Sequence, residues 1–385
     1  MFVYADNAAT TKIDPAVLKA MMPWLEEGYG NASTLYKKGR EAKMAMEEAR
    51  KQVAKVINAD PAEITFTGSG SEADNMALKG VMQGPAAKGR KHLITTKIEH
   101  HAVLYTAQSL EKQGFSVTYL DVDSAGRVDP AAVEAAITPD TALVSVMAAN
   151  NEIGTIEPIA EIGAICKKHG VLFHTDAVQG FCHMPIDVKA MNIDLLSLSA
   201  HKINGPKGTG ALYKRKGIFL KPVVDGGGQE NGLRSGTENI AGIVGLGAAA
   251  QLASESMEEE NLRLRKLQKK LIAGLLAIPQ VILTGDPENR LPGTTSVCIS
   301  AIEGESLVLY LDMNGICSST GSACSTGSLD PSHVLMAIGL KHEVAHGSLR
   351  LSLGRFTTEE QVDYILETVP KVVNTLRAMS PVWHG

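Results

Sequence analysis

No stretch of the 385-residue chain runs for 18 apolar residues without a break, so the sequence predicts no membrane-spanning segment. Positive charge is not in excess either. The formal charge is -5, which argues against nucleic-acid or membrane-surface binding, since both favour a basic face. The start, "MFVYADNAATT", lacks a basic region followed by an apolar core and is expected to be mature cytoplasmic protein, not a signal peptide. Cysteine is scarce. Cys166, Cys182, Cys298, Cys317 and Cys324 form no regular framework and leave one over, so free thiols in a reducing compartment are expected. No GxxxxGK[ST] motif occurs, which argues against a nucleotide triphosphatase. No internal repeat or low-complexity segment is seen.

What is present is an ordinary globular composition, 44% hydrophobic and 21% charged. The length suits two domains, or one large domain and a smaller one. Short β-branched runs ("EITFTG" at 63–68, "HLITT" at 92–96, "SVTYLDV" at 116–122, "ALVSVMAA" at 142–149, "VLFHTDA" at 171–177, "DLLSLSA" at 194–200, "GALYKRK" at 210–216) alternate with helical patterns of about 10–15 residues. That order predicts an α/β fold, a mostly parallel central sheet with helices on both faces, and ligands beyond the carboxyl ends of the strands. A long helical pattern over roughly 238–277 ends the alternation, and its charged middle suits a connector. The rest suits a smaller α+β domain.

Four features sit at strand ends. "TGSGSEADN" (67–75) places small residues between a strand and a helix, where backbone N–H groups can cradle phosphate. Asp176 closes "VLFHTDA" in an apolar setting and needs a cationic partner or hydrogen bonds. It reads either as a cap or ion pair, or as the partner of a cofactor's ring nitrogen. His100 and His101 adjoin at a strand-to-helix transition, so at most one is expected to face a site. Ser199, His201 and Lys202 end an apolar strand before a glycine-rich turn. A lysine there is paired, snorkelling or chemically used. Together these parts suit pyridoxal phosphate. A desolvated amine serves imine chemistry, and a carboxylate keeps the pyridine nitrogen protonated.

"YADNAATT", "TGSGSEADN", "EHHAV", "NNEIG", "HTDAVQ", "SAHKINGPKG", "LRSGTEN", "SSTGSACS" and "LRLSLGRFT" stand in one order. In this the chain resembles the cysteine desulfurases, class V enzymes of pyridoxal-phosphate fold type I. The form "SSTGSAC" is similar to the iron–sulfur-cluster and nitrogen-fixation type. "GNASTLYKKG" departs from the family by lacking a proline and a histidine, and "GSGS" stands where relatives often carry "GATE". The resemblance implies a large cofactor-binding domain over 12–258. It also implies a small domain from 1–11 and 259–385 that carries a mobile cysteine loop, about 317–330.

The resemblance further implies a role for each matching residue. Lys202 bonds the cofactor's aldehyde and Asp176 its pyridine nitrogen, while His100 stacks on the ring. Asn151 and Gln179 contact the ring and its phenolic oxygen. Gly70, Ser71, Ser199 and His201 hold the phosphate, and Thr237 reaches the phosphate of the neighbouring subunit in a homodimer. Arg350 takes the substrate carboxylate with help from Asn31 and Asn151, with Arg355 as rival. Cys324 is the nucleophile that receives sulfur from L-cysteine as a persulfide, and a candidate transient ligand to an iron–sulfur cluster. No resident metal is expected. The sulfur is expected to pass to an acceptor protein for iron–sulfur assembly or tRNA thiolation.

The residues support the choice of Cys324. It stands amid glycine, serine, threonine and alanine, a segment with little to pack and expected to be mobile, and a catalytic thiol must be accessible and partly ionised. Cys166, Cys182 and Cys298 read as core. Three rival readings stand beside this one. A selenocysteine lyase or an aminotransferase of the same branch shares the cofactor. A non-enzymatic persulfide carrier has no need of Lys202 or Asp176. "HEVAH" at 342–346 matches a zinc-hydrolase pattern, but glycines flank it and leave little helix for the ligands.

Overall fold

The computed structural model describes residues 1–321 and 331–383. In chain order the elements are β1 (Val3–Tyr4), α1 (Pro15–Glu26), α2 (Lys37–Val56), β2 (Ile64–Thr67), α3 (Gly70–Met82), β3 (His92–Thr96), α4 (His101–Glu111) and β4 (Ser116–Leu120). There follow α5 (Pro130–Ala136), β5 (Thr141–Ser145), α6 (Ile159–His169), β6 (Leu172–Asp176), β7 (Leu195–Ser199), β8 (Gly210–Lys214) and α7 (Ile240–Leu276). The remainder is β9 (Val281–Leu283), β10 (Thr294–Ile299), α8 (Gly304–Met313), β11 (Ile316–Cys317), α9 (His333–Ala337), α10 (His342–Ala345), β12 (Ser348–Ser352) and α11 (Glu359–Met379).

The helix ends follow local chemistry. Asp14, Ser69 and Asp129 accept backbone N–H bonds at the starts of α1, α3 and α5. Thr358 and Gln361 form a reciprocal capping box on α11. Helix α6 stops at Gly170, whose φ of 63° suits glycine, after a last turn bearing Lys167, Lys168 and His169.

Seven strands form one sheet in the order β2-β8-β7-β6-β5-β3-β4. Only β8 runs against its neighbours. Successive strand residues enter opposite cores. Ile94, Val144 and Leu196 pack with α2, α6 and the first half of α7. Leu93, Leu143 and Leu195 pack with α3 and α4. Helices therefore cover both faces, and a sheet buried on both sides reads as continuous apolar runs. The strand order turns back between β3 and β5, a place where a crevice opens at the carboxyl ends of the strands.

A separate antiparallel sheet, β12-β10-β9, packs with α8, α11 and the second half of α7. The chain's first residues join it. Strand β1 pairs with β11, and Val3 and Ala5 lie in the same core as Leu349 and Leu351. Helix α7 contributes to two cores, with Ile243 and Leu246 in one and Leu267 and Leu271 in the other. By length and composition alone α7 could cross a membrane. Its apolar residues are instead accounted for by these two cores.

Candidate active site

Five strand ends meet at one cavity of about 400 Å³. The end of β2 leads into Ser69, Gly70 and Ser71, the end of β3 into His100 and His101, and the end of β5 into Asn151 and Glu152. Strand β6 ends in Asp176, and β7 ends in Ser199 ahead of His201 and Lys202. Arg350 of β12 and Gly321 complete the wall from the other side.

Lys202 closes a short 3-10 turn, Ala200–Lys202, that follows β7 directly. This turn breaks the strand alternation and brings Ser199, His201 and Lys202 to the same cavity. The Lys202 Nζ donates to the carbonyl oxygens of Ala8 at 2.5 Å and Ala9 at 2.8 Å. Gln179 Nε2 also donates to Ala8 O, at 2.9 Å. The N-terminal segment thus holds the amine and the amide together.

Asp176 is buried and its Oδ1 accepts the Val178 N–H at 2.9 Å. Burial pushes its carboxyl above the usual range, against the opposing pull of the Val178 N–H and the Lys202 charge. His100 caps α4, with Nδ1 accepting the Ala102 N–H at 3.1 Å. That bond places the hydrogen of the neutral ring on Nε2. Burial, then the charges of Lys202 and His101, lower its pKa to about 4, so the ring is neutral near pH 7.

The expectation that at most one of the adjoining histidines faces the site is overturned. His100 is extended and His101 is the first helical residue, and both line the cavity with ring centroids 6.3 Å apart. The change of backbone at the cap cancels the divergence expected of neighbours. His333, which lines the same wall, stands 4.8 Å from His101.

The Arg350 guanidinium is 2% exposed. Its Nη2 donates to Asp6 Oδ1 at 2.8 Å and its Nη1 to Asn151 O at 3.0 Å, while Nε has no acceptor among the described residues. Arg355 lines a different, smaller cavity and is engaged by Asp14 at 3.2 Å and Ser256 at 3.0 Å. Asn31 and Thr237 are not brought to this chain's cavity. Asn31 Oδ1 accepts the Ser33 N–H at 2.9 Å in a local turn, and Thr237 is exposed. Cys324 lies outside the described residues. Cys166, Cys182 and Cys298 are buried, and burial pushes the Cys166 and Cys298 thiols to about 12.

Sequence reasoning missed three groups. Asp74 on α3 lines the cavity beside Asp176. Its signal was an acid among Gly70, Ala73, Ala77 and Val81, the buried positions of that helix. Asp6 fixes Arg350 from the far end of the chain and left no local signal. Glu152, buried by Ser332 and Gly321, has its carboxyl pushed to about 7 by burial.

The zinc reading of "HEVAH" fails on length. Helix α10 has four residues, and the His342 and His346 rings meet edge to face at 4.5 Å. Among the described residues no third ligand joins them.

The wall fits pyridoxal phosphate. An amine and a buried carboxylate share one cavity, the start of a 13-residue helix offers N–H groups to an anion, and Gly70 leaves room where a Cβ would stand 2.5 Å from Val178 Cγ2. A lysine just past one parallel strand and a carboxylate at the end of its neighbour define the class: a fold-type I pyridoxal-phosphate enzyme. The model of the class-V aminotransferases matches residues 3–365. A cysteine desulfurase IscS of Clostridium botulinum is 57% identical over 384 residues, covering 99% of this chain and 96% of that protein. One from Methanosarcina thermophila is 54% identical over 380 residues, covering 99% and 94%. The solved structure of a NifS-like protein superposes with a TM-score of 0.92 at 42% identity, over 98% of this chain and 100% of that one. The chain belongs to the class-V aminotransferase family, among its cysteine desulfurases.

Proposed function

We propose that this chain is a pyridoxal-phosphate-dependent cysteine desulfurase that converts L-cysteine to L-alanine and takes the sulfur as a persulfide on Cys324. The observation that carries the reading is one cavity holding Lys202 and Asp176 at the ends of adjacent strands, with Arg350 on the facing wall.

Lys202 would bond the cofactor's aldehyde and Asp176 would face its pyridine nitrogen. His100 would cover the ring, Asn151 and Gln179 would contact the ring and its phenolic oxygen, and Gly70, Ser71, Ser199 and His201 would hold the phosphate. Thr237, exposed on its own chain, would complete the phosphate site of the second subunit in a homodimer. Bound pyridoxal phosphate supplies an electron sink for the pair released at the substrate's Cα.

Arg350 clamps the substrate carboxylate, helped by Asn151; its planar fork suits that task better than an ammonium does. The Lys202 amine, when free, would take the Cα proton. The Cys324 thiolate attacks the substrate sulfur. A sulfur–sulfur bond forms and the carbon–sulfur bond breaks. Its electron pair stays with the carbon fragment, which is protonated and leaves as alanine. His100, neutral with its hydrogen on Nε2, would donate a hydrogen bond from Nε2 to a reacting group in the cavity. The persulfide then passes to an acceptor protein for iron–sulfur assembly or tRNA thiolation, with Cys324 able to ligate a cluster transiently. On this reading the chain works in the cytoplasm.

The purified enzyme should be yellow, and borohydride should fix the cofactor to Lys202. Cys324→Ala should keep the colour and cysteine binding but release no sulfide. Sulfide release by Cys324→Ala at the parental rate, with a dithiol present, would overturn the assignment of the nucleophile.

A further inference from the structure

Helix α3 carries a second carboxyl into the wall of the cavity. Asp74 is 1% exposed and Asp176 5% exposed. One oxygen of each, with one ring nitrogen of His100, lie within 4.8 Å of one another. Asp74 Oδ1 has no hydrogen-bond partner among the described residues. Two carboxylates this close in a buried setting do not both ionise readily, and one proton is shared between them.

The surroundings decide which carboxyl keeps the proton. Asp176 accepts the Val178 N–H and feels the positive charge of Lys202. Asp74 faces Asp176 and His174 of β6, Ser197 of β7, and Glu99 and His100 from the segment after β3. None of these supplies a cation. His174, 3.7 Å from Asp74 Oδ1, is kept neutral by complete burial, which lowers its pKa to about 3. Glu99 is a further buried acid. A hydroxyl donated by Ser197 would favour the ionised Asp74, against burial and the Asp176 and Glu99 charges, which favour the proton. The hydroxyl can also turn, and a neutral chain of donors is then available: a protonated Asp74 can donate to Ser197 Oγ, Ser197 to His174 Nε2 at 3.0 Å, and His174 Nδ1 to Ser145 Oγ at 2.8 Å.

We propose that Asp74 is a positioning residue that carries a proton at working pH, so that the single negative charge of the pair rests on Asp176, where the ring nitrogen needs it. The role of Asp176 rests on the pyridoxal-phosphate reading. The proton on Asp74 does not, because the cofactor-free protein already contains the pair.

The test is infrared spectroscopy of the full chain labelled with carbon-13 aspartate, as purified and after removal of the cofactor. The label separates aspartic bands from those of buried glutamates. The parent should show a protonated aspartic carboxyl near pH 7, and Asp74→Asn should lose it. In Asp176→Asn the band should remain at lower pH, with its midpoint down by at least one pH unit, a shift that a merely structural role would not produce. Loaded Asp74→Asn should keep the parental visible spectrum and bind pyridoxal phosphate within about twofold of the parent. Four results would overturn the proposal: no aspartic band in the labelled parent, a band that survives Asp74→Asn, a midpoint unmoved by Asp176→Asn, or a tenfold weaker cofactor affinity in Asp74→Asn. The first is read on the parent alone and needs no variant to fold. Failure of the pyridoxal-phosphate reading would show separately, as the absence of a borohydride-fixed adduct on Lys202.

Discussion

Asp6, near the start of the chain, holds Arg350 of β12, with Oδ1 accepting from Nη2 at 2.8 Å. The bond turns the guanidinium into the cavity, where Nε lacks an acceptor among the described residues. A buried, oriented fork of this kind is suited to a substrate carboxylate. A charge-assisted hydrogen bond contributes roughly 1.5–3 kcal/mol, which corresponds to about a tenfold to hundredfold effect.

Arg350→Lys should therefore raise KM for cysteine by about ten- to a hundredfold while leaving cofactor absorption intact. Arg355→Lys should leave KM within about twofold, because Arg355 is spent on Asp14 and Ser256 beside another cavity. Steady-state kinetics on both variants checks the pair. A larger KM change for the Arg355 variant would reverse the assignment.

Gly70 is a steric requirement at the start of α3. A Cβ there would stand 2.5 Å from Val178 Cγ2. Gly70→Ala should cost about 1–3 kcal/mol of stability by overpacking and weaken cofactor binding. Shortening the obstacle should reverse the loss, so Gly70→Ala with Val178→Ala should recover cofactor affinity. Titration with pyridoxal phosphate, monitored by absorbance, measures both effects.

The strands were legible because a sheet buried on both faces leaves continuous β-branched runs, and β3 runs over the same five residues as "HLITT". Lys202 and Asp176 were legible as candidates because charged residues at the ends of such buried runs need a partner or a chemical use. The joint exposure of His100 and His101 was not legible, since strand alternation gives no account of a helix cap. Asp6 and Arg350 are 344 positions apart, and their contact depends on β1 pairing with β11 and on Asp6 bridging to Ser352. Asp74 carries only the weak signal of an acid among the small and apolar positions of α3, and it is the packing of that helix against the sheet that turns it inward.

Thiol reactivity should separate the cysteines by burial. Cys166, Cys182 and Cys298 are buried and their thiols are pushed upward by desolvation, so at pH 8 the native protein should leave them unalkylated by iodoacetamide. All three should react in denaturant. Mass mapping after timed alkylation reads this directly. Rapid labelling of Cys182 in the native state would contradict its burial, with Sγ 3.8 Å from the Ala250 carbonyl oxygen.

Glu157 gives a pH dependence of known sign. Its Oε2 accepts the Val128 N–H at 2.9 Å, its Oε1 has no partner among the described residues, and burial pushes its carboxyl to about 8. The folded state thus holds a proton that the unfolded chain gives up near pH 4.5. Stability from this group is whole below that pH and falls as pH rises towards 8, because the native state binds more protons than the unfolded one. Glu157→Gln removes the titration and can keep the acceptor for Val128. Relative to the parent, the variant should gain stability between pH 5 and pH 8, by on the order of 2–4 kcal/mol. Urea unfolding at a series of pH values checks this. A difference between variant and parent that stayed flat across that range would mean that Glu157 is ionised in the fold.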